Sequence, residues 1–152
     1  MTRARSMRVI GIGQSFAGDD GVGPAVIERL SSGVPQGVEL VLAREPSELI
    51  DLLAYPGTVV VVDAVLDPGR AGRVRVLELA EVEPVPSLSS HGLGVAQAIE
   101  LCRTLYPRAV TPDLVVLAIG IDPPARHGSG LSPEVARGAV EAADWVRRRA
   151  FE

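Results

Sequence analysis

Lysine and asparagine are absent from this chain of 152 residues, and Cys102 is its single cysteine. All 15 residues of the Lys+Arg count are therefore arginines. The lack of lysine excludes a P-loop, a Schiff-base lysine and a Ser-Lys dyad. One cysteine excludes an internal disulfide framework and any zinc or iron–sulfur site built from several thiolates of this chain. This usage favours a reducing compartment, and we expect a cytoplasmic location.

Aromatic side chains, long apolar runs and excess positive charge are also scarce. Aromatics make up 3% of the residues, so the chain offers few surfaces on which bases could stack. The formal net charge is −4, so it has no excess positive charge to attract nucleic acid or an anionic membrane. Apolar runs such as Thr58–Val62 are far too short to span a bilayer. The arginines of residues 1–8 are followed by a glycine-rich turn, not by the apolar segment of a secretory signal. We expect neither a nucleic-acid nor a membrane partner.

Hydrophobic residues make up 47% of the chain, enough for a substantial aliphatic core. The continuous run Thr58–Val62 is typical of a central parallel strand, and Ser47 and Ser132 are predicted helix N-caps. No repeat or linker divides the sequence, so we predict a single domain, residues 1–152. The order of elements predicts an α/β fold, a three-layer αβα sandwich with a mostly parallel, twisted sheet of about five strands. The predicted strands are Met7–Ile12, Val38–Ala43, Thr58–Val62, Arg73–Leu79 and Asp113–Ile119, and the predicted helices are Pro24–Leu30, Ser47–Leu53, His91–Leu105 and Pro133–Arg149.

Three side chains are candidates for a common site. In open sheets of this kind ligands bind beyond the carboxyl ends of the parallel strands, where Asp20, Asp63 and His91 are predicted to lie. Each alone has a simpler interpretation: one carboxylate of the Asp19-Asp20 pair caps the next helix, Asp63 accepts bonds from loop amides, and His91 faces water. Together, two carboxylates and one imidazole suit a divalent ion such as nickel, zinc or manganese and leave coordination positions open.

Other chemistries find weaker support in the sequence. Cys102 lies on the apolar face of a predicted helix and is interpreted as a core residue. The serines lack a G-x-S-x-G elbow, and His127 lies in a predicted loop. Gly11-x-Gly13 resembles the start of a dinucleotide fingerprint, but the third glycine position is Phe16, and the nearby carboxylates disfavour a pyrophosphate. We expect no organic cofactor.

Four segments, in this order, span nearly the whole chain: GIGQSFAGDDGVG at residues 11–23, VVVDA at 60–64, SHGLG at 90–94 and HGSGLSP at 127–133. The set resembles the hydrogenase maturation endopeptidases, which remove a C-terminal peptide from the large subunit of nickel–iron hydrogenases. The resemblance implies a phosphorylase/hydrolase-like αβα sandwich and a peptidase of a group often classed as aspartic-type. It also implies that Asp20, Asp63 and His91 are catalytic as a unit and contact nickel, with individual roles left open. The nickel would be that of the precursor, with another divalent ion as the alternative for the isolated protein.

One departure from the family pattern concerns the segment after the second strand. The family carries a Gly-Gly-Thr type sequence there, whereas this chain has Arg44-Glu45-Pro46-Ser47. We interpret this segment as a substrate-recognition loop, so the target subunit and cleavage itself stay open at this stage. The leading hypothesis is an endopeptidase that trims and thereby activates a nickel-loaded large-subunit precursor. The alternatives are a non-cleaving docking or assembly factor for a metalloprotein, and a hydrolase that uses its own bound divalent metal.

Overall fold

The computed structural model describes residues 6–14, 18–78, 94–123 and 130–151, and within them five strands form one sheet. The strand order is β2-β1-β3-β5-β4. Neighbouring strands are parallel from β2 through β5, and β4 runs antiparallel to β5 at one edge. The strands are β1 (Met7–Ile12), β2 (Val38–Ala43), β3 (Thr58–Leu66), β4 (Val74–Glu78) and β5 (Leu114–Ile121).

Helices cover both faces of this sheet. They are α1 (Val22–Ser31), the short α2 (Leu49–Leu52), α3 (Val95–Leu105) and α4 (Pro133–Ala150). Helices α1 and α4 pack in one buried apolar cluster, and α2 and α3 pack in a second cluster on the opposite face. The predicted three-layer αβα sandwich is thereby confirmed. Within the described ranges, no helix is long and apolar enough to cross a membrane.

The two central strands explain the high aliphatic content. In β3 every residue from Thr58 to Ala64 is buried, and in β5 every residue is buried. Strands covered by helices on both faces must be apolar on both faces, which is why the valine run lacks polar alternation. Cys102 is buried in the second cluster, which contains α2 and α3 and is called the α3 cluster below, as the sequence predicted.

Strand β3 is longer than the sequence predicted, and this changes the setting of Asp63. The apolar run Thr58–Val62 placed Asp63 just after the strand, but the strand continues to Leu66. Pairing with β5 continues from Val59 to Leu66 and holds the chain extended past the acidic residue. Asp63 therefore belongs to the strand and shares its burial.

The predicted cap at Ser47 is wrong. A 3-10 helix spans Pro46–Glu48, and its N-cap is Glu45. The Glu45 and Glu48 side chains form a reciprocal capping box, in which Glu48 accepts from the Glu45 backbone N–H at 3.0 Å. Ser47 lies inside this helix, one residue before Glu48, and its hydroxyl donates to the Glu45 carboxylate at 3.4 Å. Part of the segment that departs from the family pattern is thus a structured helix start.

Other predicted boundaries shift by a few residues. Helix α1 begins at Val22, before the predicted start at Pro24, and α4 begins at Pro133 as predicted. The predicted helix His91–Leu105 is observed from Val95, and its first residues lie outside the described part of the chain. The remaining strands agree with prediction to within two residues where they are described.

Candidate functional site

Asp63 lies where β3 extends past the end of β1. Pairing between the two strands runs from Met7 beside Thr58 to Gly11 beside Val62, whereas on its other side Asp63 is opposite Ala118 of β5. Strand alternation places Asp63 on the same face as Val59 and Val61, which pack in the α3 cluster. The carboxylate thus marks the transition from an apolar core to the carboxyl ends of the parallel strands.

The side chain of Asp63 is almost completely buried, with a relative exposure of 1%. Neither carboxylate oxygen has a hydrogen-bond partner of normal geometry among the described residues. The pKa of Asp63 is raised from its ordinary value of 3.8 to about 7. Burial is the largest cause, the backbone N–H of Ala64 opposes it by lowering the pKa, and the charge of Asp20 adds a further increase. Because burial outweighs the effect of the Ala64 N–H, this carboxyl group is costly to ionise, and a proton or a cation would be stabilised at this position.

Asp20 lies in a 3-10 turn, Gly18–Gly21, which precedes α1. Two glycines allow the turn to pack tightly against the strand ends. A Cβ on Gly13, whose φ is +137°, would overlap the Asp20 carbonyl oxygen. A Cβ on Gly23 would lie 2.9 Å from the Val62 carbonyl oxygen and closer still to that of Ile12. The glycines of the 11–23 segment therefore serve close backbone packing, and this packing brings Asp20 within electrostatic range of Asp63.

The neighbouring carboxylate, Asp19, has a different partner. Its Oδ1 accepts the backbone N–H of Ser132 at 2.7 Å, and its Oδ2 accepts the Ser132 hydroxyl at 3.0 Å. The interpretation of the Asp19-Asp20 pair as a cap for the following helix is wrong, because the N-cap of α1 is Gly21 without a side-chain cap bond. Asp19 instead contacts the start of α4, 113 residues away.

The structure thus brings together two of the three predicted site residues, Asp20 and Asp63. His91, and also His127, lie outside the described residues. In the parts of the chain that the structure describes, no group of three His, Cys, Asp or Glu side chains could hold a metal ion. The two carboxylates supply hard oxygen donors on their own and would need a further ligand to complete a coordination sphere.

Sequence reasoning missed the bond between Asp19 and Ser132. Ser132 was predicted as the N-cap of α4, and it occupies that position, but its side chain makes no cap bond to the helix. The hydroxyl bonds to Asp19 instead. A serine at a helix start and an acidic residue in a distant loop each have a local explanation, so no spacing in the sequence could connect them.

Comparison with known proteins agrees with this architecture. A family profile described as HycI, hydrogenase maturation protease, matches residues 25–148. No curated protein matches the chain at the threshold of significance.

Several solved structures share the fold. Hydrogenase maturating endopeptidase HybD from Escherichia coli is 22% identical, with a TM-score of 0.73, 92% of this chain and 88% of that chain covered. Hydrogenase maturation protease HycI from Thermococcus kodakarensis is 21% identical, with a TM-score of 0.72 and coverage of 97% and 94%. Hydrogenase 2 maturation peptidase from a Thaumarchaeota archaeon is 26% identical, with a TM-score of 0.62 and coverage of 96% and 99%. The family profile covers most of the chain, so the protein belongs to the HycI family of hydrogenase maturation proteases and is a peptidase by class.

Proposed function

We propose that this protein is an endopeptidase that removes a C-terminal peptide from the nickel-loaded large-subunit precursor of a nickel–iron hydrogenase. Its family membership supports the maturation protease activity. The observation that carries the proposal for this chain is the buried Asp63 carboxyl group, without a hydrogen-bond partner in the described part of the chain and within electrostatic range of Asp20. Such a pair at the carboxyl ends of parallel strands has the character of an acid–base site.

In the proposed reaction, Asp63 acts as the general base. In the metal-free protein its pKa of about 7 is close to the value at which a base accepts a proton readily at neutral pH, and a cation at the site would lower this pKa and favour the ionised form. Its carboxylate takes a proton from a water molecule while the water oxygen bonds to the carbonyl carbon of the scissile peptide. The same proton passes to the leaving amine nitrogen as the carbon–nitrogen bond breaks, which restores the carboxylate.

Asp20 and His91 complete the proposed site. Asp20 contributes negative charge beside Asp63, and this charge favours a cation between the two carboxylates. The nickel of the precursor is then a feature of the substrate, and Asp20, Asp63 and His91 are the residues proposed to contact it. An imidazole nitrogen would add a borderline ligand to two hard oxygens, a combination that suits nickel or another divalent ion.

The test uses purified, nickel-loaded large-subunit precursor and follows its mass after incubation with the protein. Wild-type protein is expected to shorten the precursor. Asp63→Asn is expected to lower the rate by at least about 100-fold, the usual cost of removing a general base. Asp20→Asn and His91→Ala are also expected to lower the rate, because each removes a proposed nickel contact. Asp51→Asn, which changes an exposed carboxylate on α2, is the matched control and should cleave like the wild type.

Each contrary result has a distinct meaning. Equal trimming by the three site variants would overturn the proposed site. A stable complex with the precursor and no change of mass, even with wild-type protein, would identify a docking factor. Stoichiometric metal in the purified protein without any partner would favour a hydrolase that holds its own ion.

A further inference from the structure

Asp19 connects the turn that carries Asp20 to the first residues of α4. Both of its carboxylate oxygens are engaged, one by the backbone N–H of Ser132 and one by its hydroxyl. Hydrogen bonds to an ionised acceptor are stronger than those between neutral groups, and the N-terminus of an 18-residue helix favours a negative charge. These two hydrogen bonds therefore hold the turn strongly to the start of α4, although the two segments are distant in sequence.

The geometry of the turn separates the two neighbouring carboxylates. Successive residues of a 3-10 helix project about 120° apart, because the helix has about three residues per turn. With Asp19 bonded to Ser132, Asp20 projects in another direction, and it interacts electrostatically with Asp63. The turn also packs closely against Gly13, where an added Cβ would overlap the Asp20 carbonyl oxygen.

We propose that Asp19 and Ser132 form a clamp that holds the turn Gly18–Gly21 in place and thereby fixes the position of the Asp20 carboxylate. This inference rests on the proposed function, since it assigns the clamp a role in that reaction. Asp19 and Ser132 are positioning residues and touch neither substrate nor the reacting atoms. A misplacement of about 1 Å in a catalytic group can cost about 100-fold in rate, so a tie of this kind has a measurable consequence.

Four variants grade the strength of the clamp. Asp19→Ala removes both acceptors, whereas Asp19→Asn keeps one acceptor for the Ser132 N–H and can donate to the hydroxyl oxygen. Ser132→Ala removes the hydroxyl bond and keeps the backbone bond, and Ser132→Thr keeps both. The matched controls are Asp51→Ala, at an exposed position on α2, and Ser32→Ala, whose hydroxyl makes a local bond to Arg29.

The kinetic test measures kcat and KM for cleavage of nickel-loaded precursor with folded variants at equal concentration. Asp19→Ala is expected to lower kcat by about 10-fold to about 100-fold, as a misplacement of Asp20 by up to about 1 Å predicts, with KM within about twofold. Ser132→Ala should give a smaller loss of kcat, and Ser132→Thr should retain the wild-type kcat. An unchanged kcat in Asp19→Ala, or an equal loss in Asp51→Ala, overturns the clamp.

A second measurement is independent of activity. Backbone amide order parameters report motion of Asp20 and Gly21 directly, and a rigid backbone gives about 0.85 whereas a flexible one gives less than about 0.6. Asp19→Ala is expected to lower both values toward the flexible range, and the two controls and Ser132→Thr should not. Unchanged order parameters in Asp19→Ala overturn the inference even if the protein cleaves the precursor. Lowered values support it even if wild-type protein does not cleave, in which case the proposed function alone fails.

Discussion

Replacing Asp63 with asparagine is expected to stabilise the metal-free protein by an amount that grows from about pH 4 to about pH 7 and stays constant at higher pH. The carboxyl group is buried, and its pKa rises from 3.8 to about 7 on folding. Asparagine resembles the protonated acid in shape and never ionises, so the variant lacks the cost of burying this charge.

The sign and size follow from proton linkage. Below pH 3.8 the acid is protonated in the folded and unfolded chains, and ionisation costs no stability. Between pH 3.8 and about 7 the unfolded chain has lost this proton while the folded chain keeps it, so each pH unit lowers the free energy of unfolding by about 1.4 kcal/mol. Above pH 7 both forms are ionised and the full cost, about 4 kcal/mol, is present.

The assay is urea unfolding followed by circular dichroism at a series of pH values from about 4 to about 8.5, with a chelator present. The difference in free energy of unfolding between Asp63→Asn and the wild type should rise by about 1.4 kcal/mol per pH unit and level off above pH 7. Asp51→Asn is the control, because water solvates that carboxylate in both states. A difference that does not vary between pH 4 and pH 8 would refute the reasoning, since it would mean that burial does not penalise the charged form of Asp63.

Two further predictions concern close backbone packing at Gly23 and helix capping at Glu48. Gly23→Ala is expected to lower the free energy of unfolding by about 1–3 kcal/mol in a urea titration, because its Cβ would overlap two strand carbonyl groups. Gly33→Ala, where a Cβ meets nothing within 4 Å, should change stability by less than about 0.5 kcal/mol, and an equal loss in both variants would contradict the packing argument. Glu48→Ala is expected to lower the free energy of unfolding by about 1 kcal/mol, because it removes the capping box. Glu48→Gln keeps an acceptor at this position and should retain most of that stability. If the glutamine and alanine variants unfold at the same urea concentration, the box does not stabilise this helix start.

Much of the fold could be predicted because the relevant signals are local. The valine run of β3 and the helical periodicity of α3 reflect burial on both strand faces and on one helix face, and these periods are visible in a short window of sequence. The boundaries were harder to predict. β3 continues through Asp63 because its neighbour β5 supplies hydrogen bonds there, and that pairing is invisible in the sequence of β3.

The candidate site shows the same division. Its position at the strand ends follows from the general geometry of parallel sheets, so Asp20 and Asp63 could be selected together. The different roles of Asp19 and Asp20 could not be predicted, because two adjacent aspartates have the same chemistry. Their partners, Ser132 and Asp63, come from elements far away in the chain.

Composition and local pattern were enough to establish an aliphatic α/β chain without lysine chemistry and with its single cysteine in the core, and on this basis the sequence predicted a site of carboxylates and histidine. Tertiary structure alone decided that Asp63 is buried inside a strand without a hydrogen-bond partner among the described residues, and that Asp19 binds the start of α4. The physical reason is that desolvation and long-range hydrogen bonds depend on which groups surround a side chain in space. A sequence specifies the residue type at each position, whereas the energy of a charge is determined by its three-dimensional surroundings.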